Sequence, residues 1–208
     1  MALIANDYSS ELNVAGIDEV GRGALFGPVV AGAVMLSPQA ETVLAQLGVT
    51  DSKRLSATRR IALVPAIQHQ AKAYAIGLAS VSEIDRLNIL QASLLAMGRA
   101  VSRLQVKPHL CLIDGNQPIP HLTLPQATII KGDQSQVAIA AASILAKVWR
   151  DRLIVRLDKR YPGYDLAANK GYGSSRHRAA IARLGPSRQH RRSFKLTTPP
   201  LSSLKAQR

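Results

Sequence analysis

Three places in the chain set carboxylates at or just beyond the end of an apolar run. Asp18 and Glu19 close Val14-Ala15-Gly16-Ile17, and Asp114 closes His109-Leu110-Cys111-Leu112-Ile113. Asp133 follows Ala127-Thr128-Ile129-Ile130 after Lys131-Gly132. Short apolar runs bounded by glycine read as buried strands. Unpaired carboxylates there would cost on the order of several kcal/mol each, so they call for cations. Divalent metal supplies the most charge per ion. A donor set of carboxylates, without a cysteine or histidine cluster, suits Mg2+ or Mn2+ rather than zinc. Asp18-Glu19 taken alone also reads as an exposed acidic turn pairing with Arg22. Three repeats of one design favour a common pocket, because open α/β sheets bind ligands where strands end.

The elements that must position these acids follow from periodicity and punctuation. Strands at about 12–19 and 28–36, joined through Gly21-Arg22-Gly23, read as a hairpin. Ser37-Pro38 ends the second strand, and a helix from Gln39 to Leu47 closes on Gly48. Thr50-Asp51-Ser52-Lys53-Arg54-Leu55-Ser56 is a polar loop whose last serine can cap a helix from Ala57, with Pro65 limiting or kinking it. Ala71–Leu78 reads as a strand. Ser80-Val81-Ser82-Glu83 has capping-box spacing, and a single helical period runs from there to about Leu104. Residues from about 136 to 160 read as one long helix, apolar at first and then basic. Asp151, far along that helix and beside Lys147, Arg150 and Arg152, reads as an ion-pair partner.

Composition limits the function classes. Hydrophobic content of 47% against 19% charged argues for a folded chain. At 208 residues it suits one domain with a small appendage: a body over 1–160 and a basic extension over 161–208. The net charge of +14 points to a polyanion, nucleic acid first and an acidic membrane surface second. No apolar run approaches the ~20 residues of a spanning helix. The first residues, read as a polar lead-in, lack the pattern of a signal peptide, and a cytoplasmic location is expected. The one cysteine, Cys111, sits between leucines as a buried strand thiol.

Past the break at Tyr161-Pro162-Gly163-Tyr164 the chain turns basic. Tyr172 lies between Lys170-Gly171 and Gly173, a short basic helix ends at Leu184-Gly185, and Arg188, His190, Arg191, Arg192 and Lys195 follow. Bases with an aromatic ring beside glycines suit a surface that grips phosphates and offers one face to a sugar or base. A merely solvated basic tail has the same composition, and the charges after Phe194 would then be disordered.

Taken in order, Gly16-Ile17-Asp18-Glu19-Val20-Gly21-Arg22-Gly23, Asp51-Ser52-Lys53-Arg54-Leu55, Ile113-Asp114-Gly115 and Lys131-Gly132-Asp133 resemble the motifs of bacterial ribonuclease HII. So do Ser143-Ile144-Leu145-Ala146-Lys147-Val148-Trp149-Arg150-Asp151, Lys170-Gly171-Tyr172-Gly173 and His190-Arg191-Arg192-Ser193-Phe194. The resemblance covers roughly residues 12 to 196. It departs at Val20, where alanine is usual, and at Phe26, where a smaller residue is usual. It implies an α/β protein of RNase H-like fold, a central mixed five-stranded sheet flanked by helices, with a C-terminal helical extension over the substrate groove. It implies an endonuclease that cuts the RNA strand of RNA–DNA hybrids and nicks 5′ of single ribonucleotides in duplex DNA, leaving 5′-phosphate and 3′-hydroxyl ends.

By the same resemblance, Asp18, Glu19, Asp114 and Asp133 hold two Mn2+ or Mg2+ ions. Gly21, Arg22 and Gly23 meet the ribose 2′-hydroxyl through their backbone, and Tyr172 packs on the following sugar. Asp51, Ser52 and Lys53 line the groove, with Lys53 near phosphate. Arg191 and Arg192 are expected to grip phosphates. A monomer is expected, and a contact with a replication clamp is left open. Two other readings remain: a basic binding module, and another metal nuclease of the same fold, such as a resolvase or transposase-like enzyme.

Overall fold

The computed structural model describes residues 12–196. The polar lead-in and the last twelve residues, on which the signal-peptide and tail readings fall, lie outside the described residues.

Five strands form one mixed sheet in the order β3-β2-β1-β4-β5. Strands β1 (Val14–Val20), β2 (Val29–Met35) and β3 (Ala73–Ala79) run antiparallel to their neighbours as a meander. β4 (Leu110–Asp114) then pairs with β1 in parallel, Ile17 opposite Ile113, and β5 (Gln126–Ile129) pairs with β4 in parallel. The two parallel central strands therefore end at the same edge of the sheet, which places Asp18 and Asp114 side by side. The expected hairpin, strands and five-stranded mixed sheet are all present.

On one face of the sheet α6 (Val137–Asp158) packs with α1 (Pro38–Gln46) and α2 (Ala57–Gln70) around Val34, Leu44, Ile67 and Ile144. Gly16 and Gly32 let α6 approach this closely. A Cβ on Gly16 would lie 2.3 Å from the Ala138 carbonyl carbon, and one on Gly32 would lie 2.4 Å from the Ala142 oxygen. The opposite face carries α4 (Ile89–Ser102) over Ala15, Ile17, Ala31 and Ile113. α2 passes through Pro65 to Gln70, capped at its start by the Ser56 hydroxyl.

The single helix expected from about 83 to 104 is two helices, α3 (Val81–Leu87) and α4. The break is at Asn88, whose φ is +72° and whose side chain accepts from the Leu90 and Gln91 amides. The capping box on Ser80 and Glu83 is present. Asp133 sits on a short helix α5 (Gly132–Ser135) rather than in a loop. Beyond α6 come α7 (Leu166–Asn169) and α8 (Ser175–Leu184). Tyr164, Leu166 and Ile181 pack on Leu25, Phe26 and Ile154 in a third apolar cluster. Among the described residues no helix is long and apolar enough to cross a membrane.

Candidate active site

The acids meet because strand ends and one turn converge. Asp18 is buried, and its Cα lies opposite Gly32 on β2. Asp114 ends β4, and its Oδ1 accepts the Gly132 amide at 2.7 Å, so one carboxylate also pins the start of α5 and sets where Asp133 falls. Burial, the charge of Glu19 and that of Asp114 together push the Asp18 carboxyl well above the usual range, with the Ser143 hydroxyl opposing. Burial raises Glu19 as well, against the Arg22 guanidinium 3.1 Å away. Burial raises Asp133, Lys53 opposes, and Asp114 adds to the rise. Asp114 thus acts on each of the other three acids, as members of one electrostatic cluster must.

Two cations now balance that cluster. Arg22 pairs with Glu19, and the Lys53 ammonium lies 3.3 Å from Asp133 Oδ2. Lys53, expected near phosphate, is placed on this acid. Among the described residues no three acidic, histidine or cysteine side chains converge closely enough to form a ready-made metal cage. The donor set still fits a hard divalent ion in its chemistry: four carboxylates, of which burial and neighbouring negative charge raise Asp18, Glu19 and Asp133, served by two displaceable side chains. The acids Asp18, Glu19 and Asp114 line a groove of about 520 Å³ together with Gly21, Arg22, Gly23, Ser52, Lys53 and Tyr172. Asp133 borders it through Lys53.

Ser143 was not singled out from the sequence. It is the lone polar side chain in the first ten residues of α6, which was the available signal. It is buried, and its hydroxyl lies 2.8 Å from that of Ser52, tying the 51–55 turn to the acid floor. Lys147, expected only as a neighbour of Asp151, has a place on the groove as well. It holds Asp151 at 2.9 Å as the ion pair expected for that acid, and lies 5.2 Å from the centre of the Tyr172 ring.

The two glycines of Gly21-Arg22-Gly23 answer to different demands. Gly21 has φ +90°, and a Cβ there would sit 2.2 Å from Arg150 Nε. Gly23 has nothing within 4 Å of its Cβ position, so its backbone is open to the groove. The rest of that loop is zipped to the C-terminal segment. The Leu25 and Phe26 amides donate to the Gly171 carbonyl at 2.8 and 3.2 Å, Gly27 donates to Gln189, and Arg191 donates its amide to Leu25.

Two fully buried arginines lock the zipper. Arg150 donates to the carbonyls of Pro28 (3.1 Å), Lys170 (2.9 Å) and Phe26 (2.9 Å), and its guanidinium lies 5.4 Å from the Tyr172 ring centre. Arg191 donates to the carbonyls of Gly27 (3.0 Å) and Arg22 (2.8 Å). Burial, and then the charge of Arg150, push the Arg191 guanidinium down to about 9. This corrects the expectation for Arg191. Its side chain holds the glycine loop from inside and has no surface to offer a phosphate. Arg192 is exposed but does not line the groove. Its amide, with that of Ser193, donates to the Asp85 carboxylate.

Behind Tyr172 two buried histidines form a chain of hydrogen bonds. The Ser187 amide donates to His190 Nδ1 at 2.9 Å, which leaves His190 Nε2 to donate to His177 Nε2 at 3.1 Å. His177 Nδ1 then donates to the Tyr172 carbonyl at 2.8 Å. The unusual Phe26 packs edge-on against His190 and Tyr161, and so fills the base of this cluster.

A model of the family described as Ribonuclease HII matches residues 15–197. The chain belongs to the ribonuclease HII family. The Ribonuclease HII of Acaryochloris marina is 65% identical over 188 residues, covering 90% of this chain and 94% of that one. Among solved structures, the RNase HII of Archaeoglobus fulgidus in a PCNA:RNase HII complex superposes with a TM-score of 0.75 at 30% identity, covering 92% of this chain and all of that one. Bst-RNase HIII in complex with Mn2+ shares the fold, with a TM-score of 0.72 at 21% identity over 90% of this chain and 68% of that one. The fold is thus RNase H-like. As a ribonuclease HII the protein is an endoribonuclease of the ribonuclease H class, acting on RNA–DNA hybrids.

Proposed function

We propose that, besides cutting hybrids, this ribonuclease HII nicks duplex DNA on the 5′ side of a single embedded ribonucleotide, with two divalent ions at the acid cluster. One observation carries the reading: the groove that holds Asp18, Glu19 and Asp114 also holds the Gly23 backbone and the Tyr172 ring. Asp18, Glu19, Asp114 and Asp133 would hold the ions, Mg2+ or Mn2+. Bound there, such ions supply activation of the attacking water and neutralise charge on the phosphate and the leaving 3′-oxygen. Arg22 and Lys53, paired here with Glu19 and Asp133, would be free to meet phosphate if ions took their place on these acids. The open Gly23 backbone approaches the 2′-hydroxyl, the group by which a site distinguishes RNA from DNA. The Tyr172 ring, held between Lys147 and Arg150, lies against the next sugar and favours a deoxyribose there. Residues 161–196 serve as an extension of the same unit, and we read the protein as a monomer working in the cytoplasm.

The test compares a duplex with one ribonucleotide, the same duplex without it, and a continuous hybrid. With Mg2+ or Mn2+ the first should be nicked to 5′-phosphate and 3′-hydroxyl ends, and the all-DNA duplex should stay whole. Tyr172→Ala should keep its melting temperature yet slow nicking at the single ribonucleotide about tenfold or more, as loss of a positioning contact does. Continuous hybrid should lose less. Cleavage of the all-DNA duplex, or equal losses on both ribonucleotide substrates, would overturn the reading.

A further inference from the structure

A second hollow, larger than the acid groove, lies beside it. Of about 710 Å³, it opens between α2 and the second half of α6, with Arg60 as the wall it shares with the catalytic groove. Its floor is apolar: Val148 and Trp149, with Ile61 and Val155 left 49% and 41% exposed. Contiguous exposed apolar surface of this kind marks a binding face rather than ordinary surface. Arg152, Arg156 and Lys170 stand around it. The exposed Arg152 and Arg156 have no ion-pair partner among the described residues. The one carboxylate on the hollow, Asp151, is already held by Lys147. Trp149 and Arg152 also border a smaller pocket next door, whose far side is Tyr74 on the edge strand β3, 42% exposed.

We infer that this face binds an unpaired nucleic-acid strand that runs off the duplex held in the catalytic groove. A duplex buries its base faces and presents phosphates to a surface, so it has no use for an apolar floor. An unpaired strand presents both, and aromatic rings interleaved with cations are the surface that takes it. An acidic peptide would match the cations and leave the two aromatic side chains without a role. Arg60 gives the strand a continuous path, since its guanidinium is fixed to the carbonyls of Ser52 and Leu55 at the groove's own wall. The path rests on the reading that the groove holds a duplex; the face itself does not.

Trp149 is the only tryptophan, so its fluorescence reports on this face alone. Titration with oligothymidylate should quench it, the more weakly as salt rises. The double variant Arg152→Glu, Arg156→Glu should weaken that binding by about fivefold or more, as loss of two phosphate-neutralising charges does. The variant should cut a blunt hybrid at the normal rate. Only the wild-type protein should prefer, in kcat/KM, a hybrid carrying an unpaired thymidine tail. No quenching by oligothymidylate, equal quenching by polyglutamate, or quenching unchanged in the double variant would overturn the inference. Equal use of tailed and blunt substrates would overturn the path from groove to face. A failure to nick at single ribonucleotides would count against the proposed function and leave the titration to be read as before.

Discussion

The acid floor and the glycine-loop zipper both bury charge, and they handle it in opposite ways. At the floor, Asp18, Glu19, Asp114 and Asp133 crowd one another, and among the described residues only Arg22 and Lys53 pair with them. In the zipper, Arg150 and Arg191 lie equally deep with no ion-pair partner among the described residues, and backbone carbonyls of two loops take their protons, all but those on Arg191 Nη2. The first arrangement leaves its charge available to a ligand. The second consumes its charge in making the two loops one body. Burial of an ionised group therefore does not by itself mark a catalytic residue. What decides is how much of its hydrogen-bonding capacity is already taken up, which is all three nitrogens of Arg150 and all but Nη2 of Arg191.

Neutralising one charge in each region should have opposite consequences. Asp18→Asn and Asp114→Asn should each lose several kcal/mol of transition-state stabilisation, about a thousandfold in rate. The metal-free Asp18→Asn protein should melt no lower than the wild type, because the change removes a repelled, desolvated charge. Near-normal turnover by either variant in a cleavage time course would remove the acids from the reaction.

Arg150→Met should do the reverse. It keeps most of the volume but takes the guanidinium donors from three carbonyls, two of them buried, which should lower stability by about 3–5 kcal/mol in urea unfolding. Cleavage should fall only as far as the loops come apart. A variant as stable as the wild type would show that the zipper's backbone bonds suffice without the guanidinium.

The smallest effect concerns a third way of burying polar side chains, as neutral bases. Burial, and then the charge His177 would carry, hold His190 down to about 4, and burial lowers His177 too. In the unfolded chain both take protons near the ordinary value of 6.5. Between these values the unfolded state binds more protons, so the contribution is complete above about pH 6.5 and drains away as pH falls toward 4. The loss should reach on the order of 3 kcal/mol for His190. Melting temperature against pH for the wild type and His190→Gln would show it as a steeper slope in the wild type, the variant keeping the smaller share of His177.

Much of this was legible in the sequence, because the acids follow strands whose apolar runs and glycine ends are local signals. The hairpin, the strand carrying Asp114 and the long helix needed no tertiary information. The Asn88 break did not show, since the apolar spacing of Ile84, Leu87, Leu90 and Leu94 continues across it in unchanged phase. Arg191 misled for a different reason. It stands in a run of bases that reads as solvated, and only the partner loop, more than a hundred residues away, supplies the carbonyls that let it go inside. The cation-rimmed hollow beside Trp149 likewise needs α2 and α6 brought together before it exists.

The parallel pairing of β1 with β4 carries a kinetic consequence. β1, β2 and β3 form a meander of neighbours, but Ile113 reaches Ile17 only after the chain has closed a loop of nearly half its length. Contacts that far apart in sequence form late, because the entropy of closing the loop must be met before any contact repays it. Asp114 arrives with that strand. A nascent chain that has made only its first three strands is thus an inert sheet with an open edge at β1, and its nuclease centre comes into being in the closing stages of folding.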